Sequence, residues 1–293
     1  MHSPMRSERE MYALILTTAR GDERIRAVIL NGSRANPNAP PDIFQDYDII
    51  YVVTDVAAFK RDPHWLKRFG ELMILQTPDD MGAEPRGEDD SYAYLMRFAD
   101  GVRIDLTLFP IAKLDQLERD SLSVLLLDKD GVIARFPPPS ESEYLPKPPT
   151  AKEYQDCCNE FWWVCPYVAK GLWREEIIYA RYMLDQILRE QLMIMLVWYI
   201  GVKTRFRINP GKYGKYFKRY LEPELWALLG KTYADASYEN TWEAMFNMCR
   251  LFRIAALDVA DTSGFDYPHG YDVRVSAYLA HVQHLPRDVQ RTG

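Results

Sequence analysis

RAVILNGSRANPNAPPDIFQDYDIIYVVT, residues 26–54, is the stretch on which the reading of the whole chain turns. Its opening, 26–31, is apolar and rich in branched side chains, as a buried strand requires. The strand stops at Gly32-Ser33. Residues 34–45 are crowded with proline and asparagine and read as loop. Asp46-Tyr47-Asp48 then opens a second strand over 48–54. Alternate residues of a strand face the same way, so Asp46 and Asp48 point to one side. Two carboxylates held that close repel each other unless a cation compensates. A hard divalent ion such as Mg²⁺ suits them and keeps room for water and phosphates. Gly32 permits close approach of backbone to a phosphate, the Ser33 hydroxyl can donate to it, and Arg34 adds charge.

Further along, 92–98 and 102–109 flank Asp100-Gly101, a hairpin signal. The second of these strands carries Asp105 in RIDLT, between Ile104 and Leu106. A carboxylate there is costly without a partner. Arg103 or Lys113 could pair with it for stability alone. Set beside the 48–54 strand, it completes a trio with Asp46 and Asp48 that would support two bridged metal ions. An isolated Asp-x-Asp usually marks a solvated strand start. The ordered combination of strand, Gly-Ser, loop, Asp-x-Asp, strand and later Asp points instead to a site.

In these residues the sequence resembles the nucleotidyltransferase superfamily that includes DNA polymerase β. More narrowly it is similar to the aminoglycoside 6-adenylyltransferases. GSRANPN (32–38), FQDYDIIYVVTD (44–55), FGELMILQTPDDM (69–81), DKD (128–130), KPPTAKEY (147–154), DCCNEFWWVCPYVAKGLWREEI (156–177) and WYIGV (198–202) carry the likeness, which fades after about residue 220. The resemblance implies ATP as donor, Mg²⁺ (two ions) as cofactor, pyrophosphate as product, and a hydroxyl of a cationic aminoglycoside, position 6 of streptomycin, as acceptor. It makes Asp46, Asp48 and Asp105 the metal ligands, and gives Gly32, Ser33 and Arg34 the triphosphate. Similar enzymes carry on a second-domain helix an Asp thought to act as base. The matching position is Tyr182, so the role passes to Asp185, three residues on, with Glu176 as the alternative. Lys170 reaches for the triphosphate on the same likeness. Lys212 and Lys215, in a basic run with Tyr213 and Tyr216, are phosphate contacts or simply solvated surface.

The remaining sequence is read for organisation. Residues 6–20 form an amphipathic helix with Met11, Leu14, Ile15 and Thr18 on one face. A strand is expected at 71–76, and a short hairpin at 124–128 and 132–135. Six prolines lie in 137–149, the domain boundary. Thr150 and Glu153 have capping-box spacing. Helices follow at 150–170, 174–200, 222–230, 238–262 and 269–283, with Gly171 marking a helix end. The expected fold is α+β: a nucleotidyltransferase domain with a mixed sheet over 1–140, then an α-helical bundle domain over 141–293 that contributes to the aminoglycoside site, the substrate lying in a cleft between them.

The net charge of −6 argues against a nucleic-acid partner. Four cysteines without CxxC spacing read as reduced, buried thiols of a cytoplasmic protein. The N-terminus lacks a signal-peptide core, and the apolar run 192–200 is too short to span a bilayer. A monomer is expected. Glu84, Glu88, Asp89 and Asp90 could attract a polycation. Five tryptophans fall on helices, with core packing as the default. Two rival readings remain: the same chemistry on another small molecule, a protein or an RNA end, and a non-catalytic nucleotide-binding protein of this fold.

Overall fold

In a computed structural model of the chain, residues 4–82, 87 and 90–286 are described. The chain divides into two compact units, Met1–Glu143 and Tyr144–Gly293.

The first unit is built on six strands: β1 (Ile25–Asn31), β2 (Tyr47–Val53), β3 (Leu72–Gln76), β4 (Tyr92–Phe98), β5 (Arg103–Pro110) and β6 (Ser123–Asp128). Their order is β3-β4-β5-β2-β1-β6. All neighbours are antiparallel except β2 and β5, which run parallel. Along β4 and β5, burial alternates residue by residue, so one face is core and the other carries polar groups. Helix α1 (Glu8–Gly21) starts at a capping box made by Ser7 and Glu10. It lays Met11, Ile15 and Ala19 on the core face, against Tyr47, Ile49 and Tyr51, and the Tyr51 hydroxyl donates to the Ile15 carbonyl at 2.7 Å. Helix α2 (Val56–Arg61) and the turn Pro63–Phe69 close this core with Phe59, Trp65 and Phe69. On the opposite face a smaller cluster, including Ala27, Ile29, Val52 and Ile133, covers only part of the sheet.

The expected hairpin at 124–128 and 132–135 does not form. β6 pairs with β1 instead, and 132–135 is not a strand. The cause is local: the Asp128 carboxylate accepts from the amides of Asp130, Gly131 and Ile133. Those amides are folded around one side chain and cannot serve a returning strand.

The second unit contains α3 (Ala151–Trp173), α4 (Ile177–Tyr182), α5 (Arg189–Thr204), α6 (Phe217–Tyr220), α7 (Pro223–Gly230), α8 (Tyr238–Ser263) and α9 (His269–Gln283). Thr150 caps α3 with Glu153 as its reciprocal partner. Gly171 does not end that helix, which runs on to Trp173. A Cβ on Gly171 would lie 2.9 Å from the Tyr179 ring and 3.1 Å from Ala180, so the glycine's purpose is close approach of α4. Between α4 and α5 the residues Met183–Leu188 form a π-helical turn, which divides the helix expected as continuous. The core is aromatic: Phe161 and Phe252 stack with ring centres 3.7 Å apart. Asp272, 5% exposed, accepts from Arg253, from the Tyr267 hydroxyl at 2.8 Å and from Ser276 at 3.0 Å. All four cysteines are free and buried. Trp163 departs from the expected core packing and is 64% exposed. Among the described residues, no helix is long and apolar enough to cross a membrane.

Candidate active site

The parallel ladder sets Asp48 directly opposite Asp105. Both side chains leave the core face, because their neighbours Tyr47, Ile49, Ile104 and Leu106 are all buried on it. Asp46 lies just before β2 and interacts with both. The three sequence-predicted acids therefore share one side of the sheet. Burial, followed by the charges of Asp105 and Asp46, pushes the Asp48 carboxyl up to about 6. Asp46 is also raised, chiefly by burial, with Arg103 opposing and Asp105 adding. Carboxylates that are partly buried and also repel one another are eased by a compensating positive charge.

An arginine already answers part of that demand. Arg103 Nε and Nη2 each donate to Asp105 at 2.7 Å, and Nη1 lies 3.3 Å from Asp46. Among the described residues, no three His, Cys, Asp or Glu side chains are gathered into a finished metal-binding group. Asp46 and Asp105 are drawn to the guanidinium rather than to a common point. The donor set still fits a hard divalent ion: three carboxylates, one face, partial exposure and a carboxylate at Asp48 that no cation contacts directly. Of the two partners offered for Asp105 by sequence, Arg103 is the one present. Lys113 pairs with Asp90 at 2.8 Å.

Gly32 opens the turn Gly32–Arg34 with φ +75°. A Cβ there would stand 2.2 Å from Asp48 Oδ2, so the absent side chain is what lets the carboxylate sit against the backbone. The Gly32 amide is already spent on the Leu122 carbonyl at 3.1 Å and is no phosphate donor. Ser33 follows Gly32 in the same turn. Arg34 has structural employment. Its guanidinium stacks on the Tyr47 ring at 3.8 Å, donates to the Gln45 carbonyl at 2.9 Å and faces Glu8 of α1 at 3.7 Å. It braces the loop leading into Asp46.

In the second unit, Asp185 lies in the π-helical turn. Its two oxygens are held by Arg181 at 2.8 Å and Arg189 at 3.0 Å. It borders a groove of about 780 Å³ that is also lined by Glu190, Trp198, Tyr213 and Tyr233. π-Helical turns concentrate at functional sites, and no sequence period would have shown this one. Another groove, of about 510 Å³, is lined by Trp163, Pro166, Tyr271 and Arg274 among others, with no carboxylate. Glu176 and Tyr182 are exposed. Lys170 sits in the last turn of α3, its ammonium 4.8 Å from the Tyr167 ring centre. Lys212 and Lys215 are exposed and lean on Tyr213 and Tyr216. Glu84, Glu88 and Asp89 lie outside the described residues.

Comparison with known proteins bears on this arrangement. The family model described as streptomycin adenylyltransferase matches residues 5–282. An aminoglycoside 6-adenylyltransferase of Campylobacter jejuni is 45% identical over 276 residues, covering 94% of this chain and 95% of that protein. The aminoglycoside 6-adenylyltransferase of Bacillus subtilis (strain 168) is 42% identical over 276 residues, covering 94% and 97%. One from Staphylococcus aureus is 36% identical over 277 residues, covering 94% and 98%.

Proposed function

The chain belongs to the streptomycin adenylyltransferase family, and on that premise we propose that it moves AMP from ATP to a hydroxyl of an aminoglycoside, position 6 of streptomycin, and releases pyrophosphate. The observation that carries the reading is the in-register meeting of Asp48 and Asp105, with Asp46 beside them and Gly32 closed against Asp48.

The substrate hydroxyl oxygen bonds to the α-phosphorus, the bond from that phosphorus to the bridging oxygen breaks, and the electron pair leaves with pyrophosphate. Mg²⁺ held by Asp46, Asp48 and Asp105 would neutralise charge growing on the phosphoryl oxygens. Ser33 donates to the triphosphate. Lys170, Lys212 and Lys215 are assigned to its outer charges, as flexible ammonium groups suited to phosphate. Arg34 acts one step back, by fixing the loop that presents Asp46.

We assign the acceptor to the groove bordered by Asp185 and Glu190. Glu190 there matches ammonium and guanidinium groups, and Trp198 and Tyr213 offer faces for sugar and cyclitol rings. The groove without a carboxylate has no such match. Asp185 takes the hydroxyl proton, oriented by its two arginines as a base is by a third group.

The test is mass spectrometry of streptomycin incubated with the protein, ATP and Mg²⁺, with other aminoglycosides alongside. One added AMP on streptomycin, lost with Asp48→Asn, is the expected result. No adduct on any aminoglycoside, with equal pyrophosphate release by both proteins, removes the assignment.

A further inference from the structure

Arg103 has no role in the reaction as written above, yet all three of its guanidinium nitrogens point into the aspartate group. Nε and Nη2 take both oxygens of Asp105, and Nη1 reaches Asp46. Asp48 receives no such contact and feels the charge of Arg103 only from a distance. We propose that Arg103 is a positioning residue that acts as the internal counter-ion of the cradle: bridging Asp46 and Asp105, it stands in for a divalent cation and must release at least one of them before the cation binds.

The argument is geometric. A planar fork engages a carboxylate through both oxygens at once, so Asp105 is fully occupied while the pair lasts. The same two acids cannot converge on a common point while the guanidinium lies between them. Arg103 is also placed to let go. Its side chain is 33% exposed, and it precedes Asp105 by two residues on the same face of β5. The Arg103–Asp105 pair is thus local to one strand, and only the longer contact to Asp46 leaves it. Charge explains why the device exists. Without a bridging cation, three carboxylates on one sheet face would repel with nothing between them. The arginine lets the unloaded cradle keep its acids side by side, at the expense of affinity for the ion that replaces it.

The proposal rests on the reading that the cradle takes a divalent cation, and the experiment separates the two. Mn²⁺ binding is measured by the loss of free-ion electron paramagnetic resonance signal, without nucleotide, for the wild type, Arg103→Met and Arg103→Lys. Removing the competitor tightens Mn²⁺ binding about three- to tenfold in Arg103→Met. Arg103→Lys, a point charge that cannot bridge two carboxylates, falls between. Thermal unfolding in EDTA gives a lower Tm for Arg103→Met than for the wild type, and saturating Mn²⁺ raises it by more. Unchanged or weaker Mn²⁺ binding in the variants overturns the proposal alone. Should Arg103→Met not fold, tightening in Arg103→Lys decides by the same rule. Failure of every protein, the wild type included, to bind Mn²⁺ overturns both the proposal and the metal reading beneath it.

Discussion

Asp48 shows how far one residue can be set against the stability of its own fold. Its carboxyl is pushed up to about 6 by burial and by its acidic neighbours, from an ordinary value of about 4. A folded-state pKa above the unfolded one means that the folded chain holds the proton more tightly. The stabilising contribution is complete below about pH 4 and is lost as pH rises through 6. In EDTA at pH 8, Asp48→Asn is therefore more stable than the wild type by ~1–2 kcal/mol, and the advantage disappears at pH 4. Tm recorded across that range checks it; a constant difference would remove the electrostatic cause. Gly32 is the complementary case. Gly32→Ala forces a Cβ onto Asp48 Oδ2 and strains a backbone at φ +75°. It costs ~1–3 kcal/mol and displaces the carboxylate, so adenylyl transfer falls at least about tenfold. Chemical denaturation and initial rates measure the two effects separately. Asp46, Asp48, Asp105 and Gly32 were legible as a group because strand alternation and a required glycine leave marks in sequence. The commitments of Arg34 and of the Gly32 amide were not, since both depend on what the fold brings from elsewhere, α1 and the Leu122 carbonyl.

Elements were readable where periodicity is strong. The alternation of β4 and β5 and the capping box of α3 need no tertiary information. Reading failed where side chains redirect backbone. Asp128 turned an expected hairpin into a wrapped loop, and the extra residue in the turn Met183–Leu188 leaves the apolar pattern intact while shifting the helix. α2 and the turn after it, with Phe59, Trp65 and Phe69 in the core, are too short to display a period at all. Gly171 is ambiguous for a related reason: a glycine within an apolar helix can mean termination or close packing, and only the neighbour distinguishes them. Gly171→Val pushes against Tyr179 and Ala180 and destabilises by ~2–3 kcal/mol. A Tm equal to the wild type's would show that α4 yields at no cost.

At the scale of the whole molecule, each unit has its own core, one grouped around the sheet and one around the stacked rings of Phe161 and Phe252. Phe252→Ala opens a cavity worth ~3–4 kcal/mol. Hydrogen exchange read by mass spectrometry is expected to accelerate chiefly in α3 and α8, with β2 and β5 least affected; uniform acceleration would mean that the two cores unfold as one. The parallel ladder of β2 and β5 reaches beyond the finished architecture. β3 and β4 are threaded through the chain between its two strands, so Asp48 and Asp105 meet only after that whole excursion has been made. Joining distant strands in parallel is among the slower events of sheet assembly. Here the same event first confronts three negative charges with one another. Ionic conditions should accordingly register in how fast the chain arrives at its native state more than in how fast it leaves. A fragment ending before β5 would carry two of the acids with neither their rival nor their chemistry.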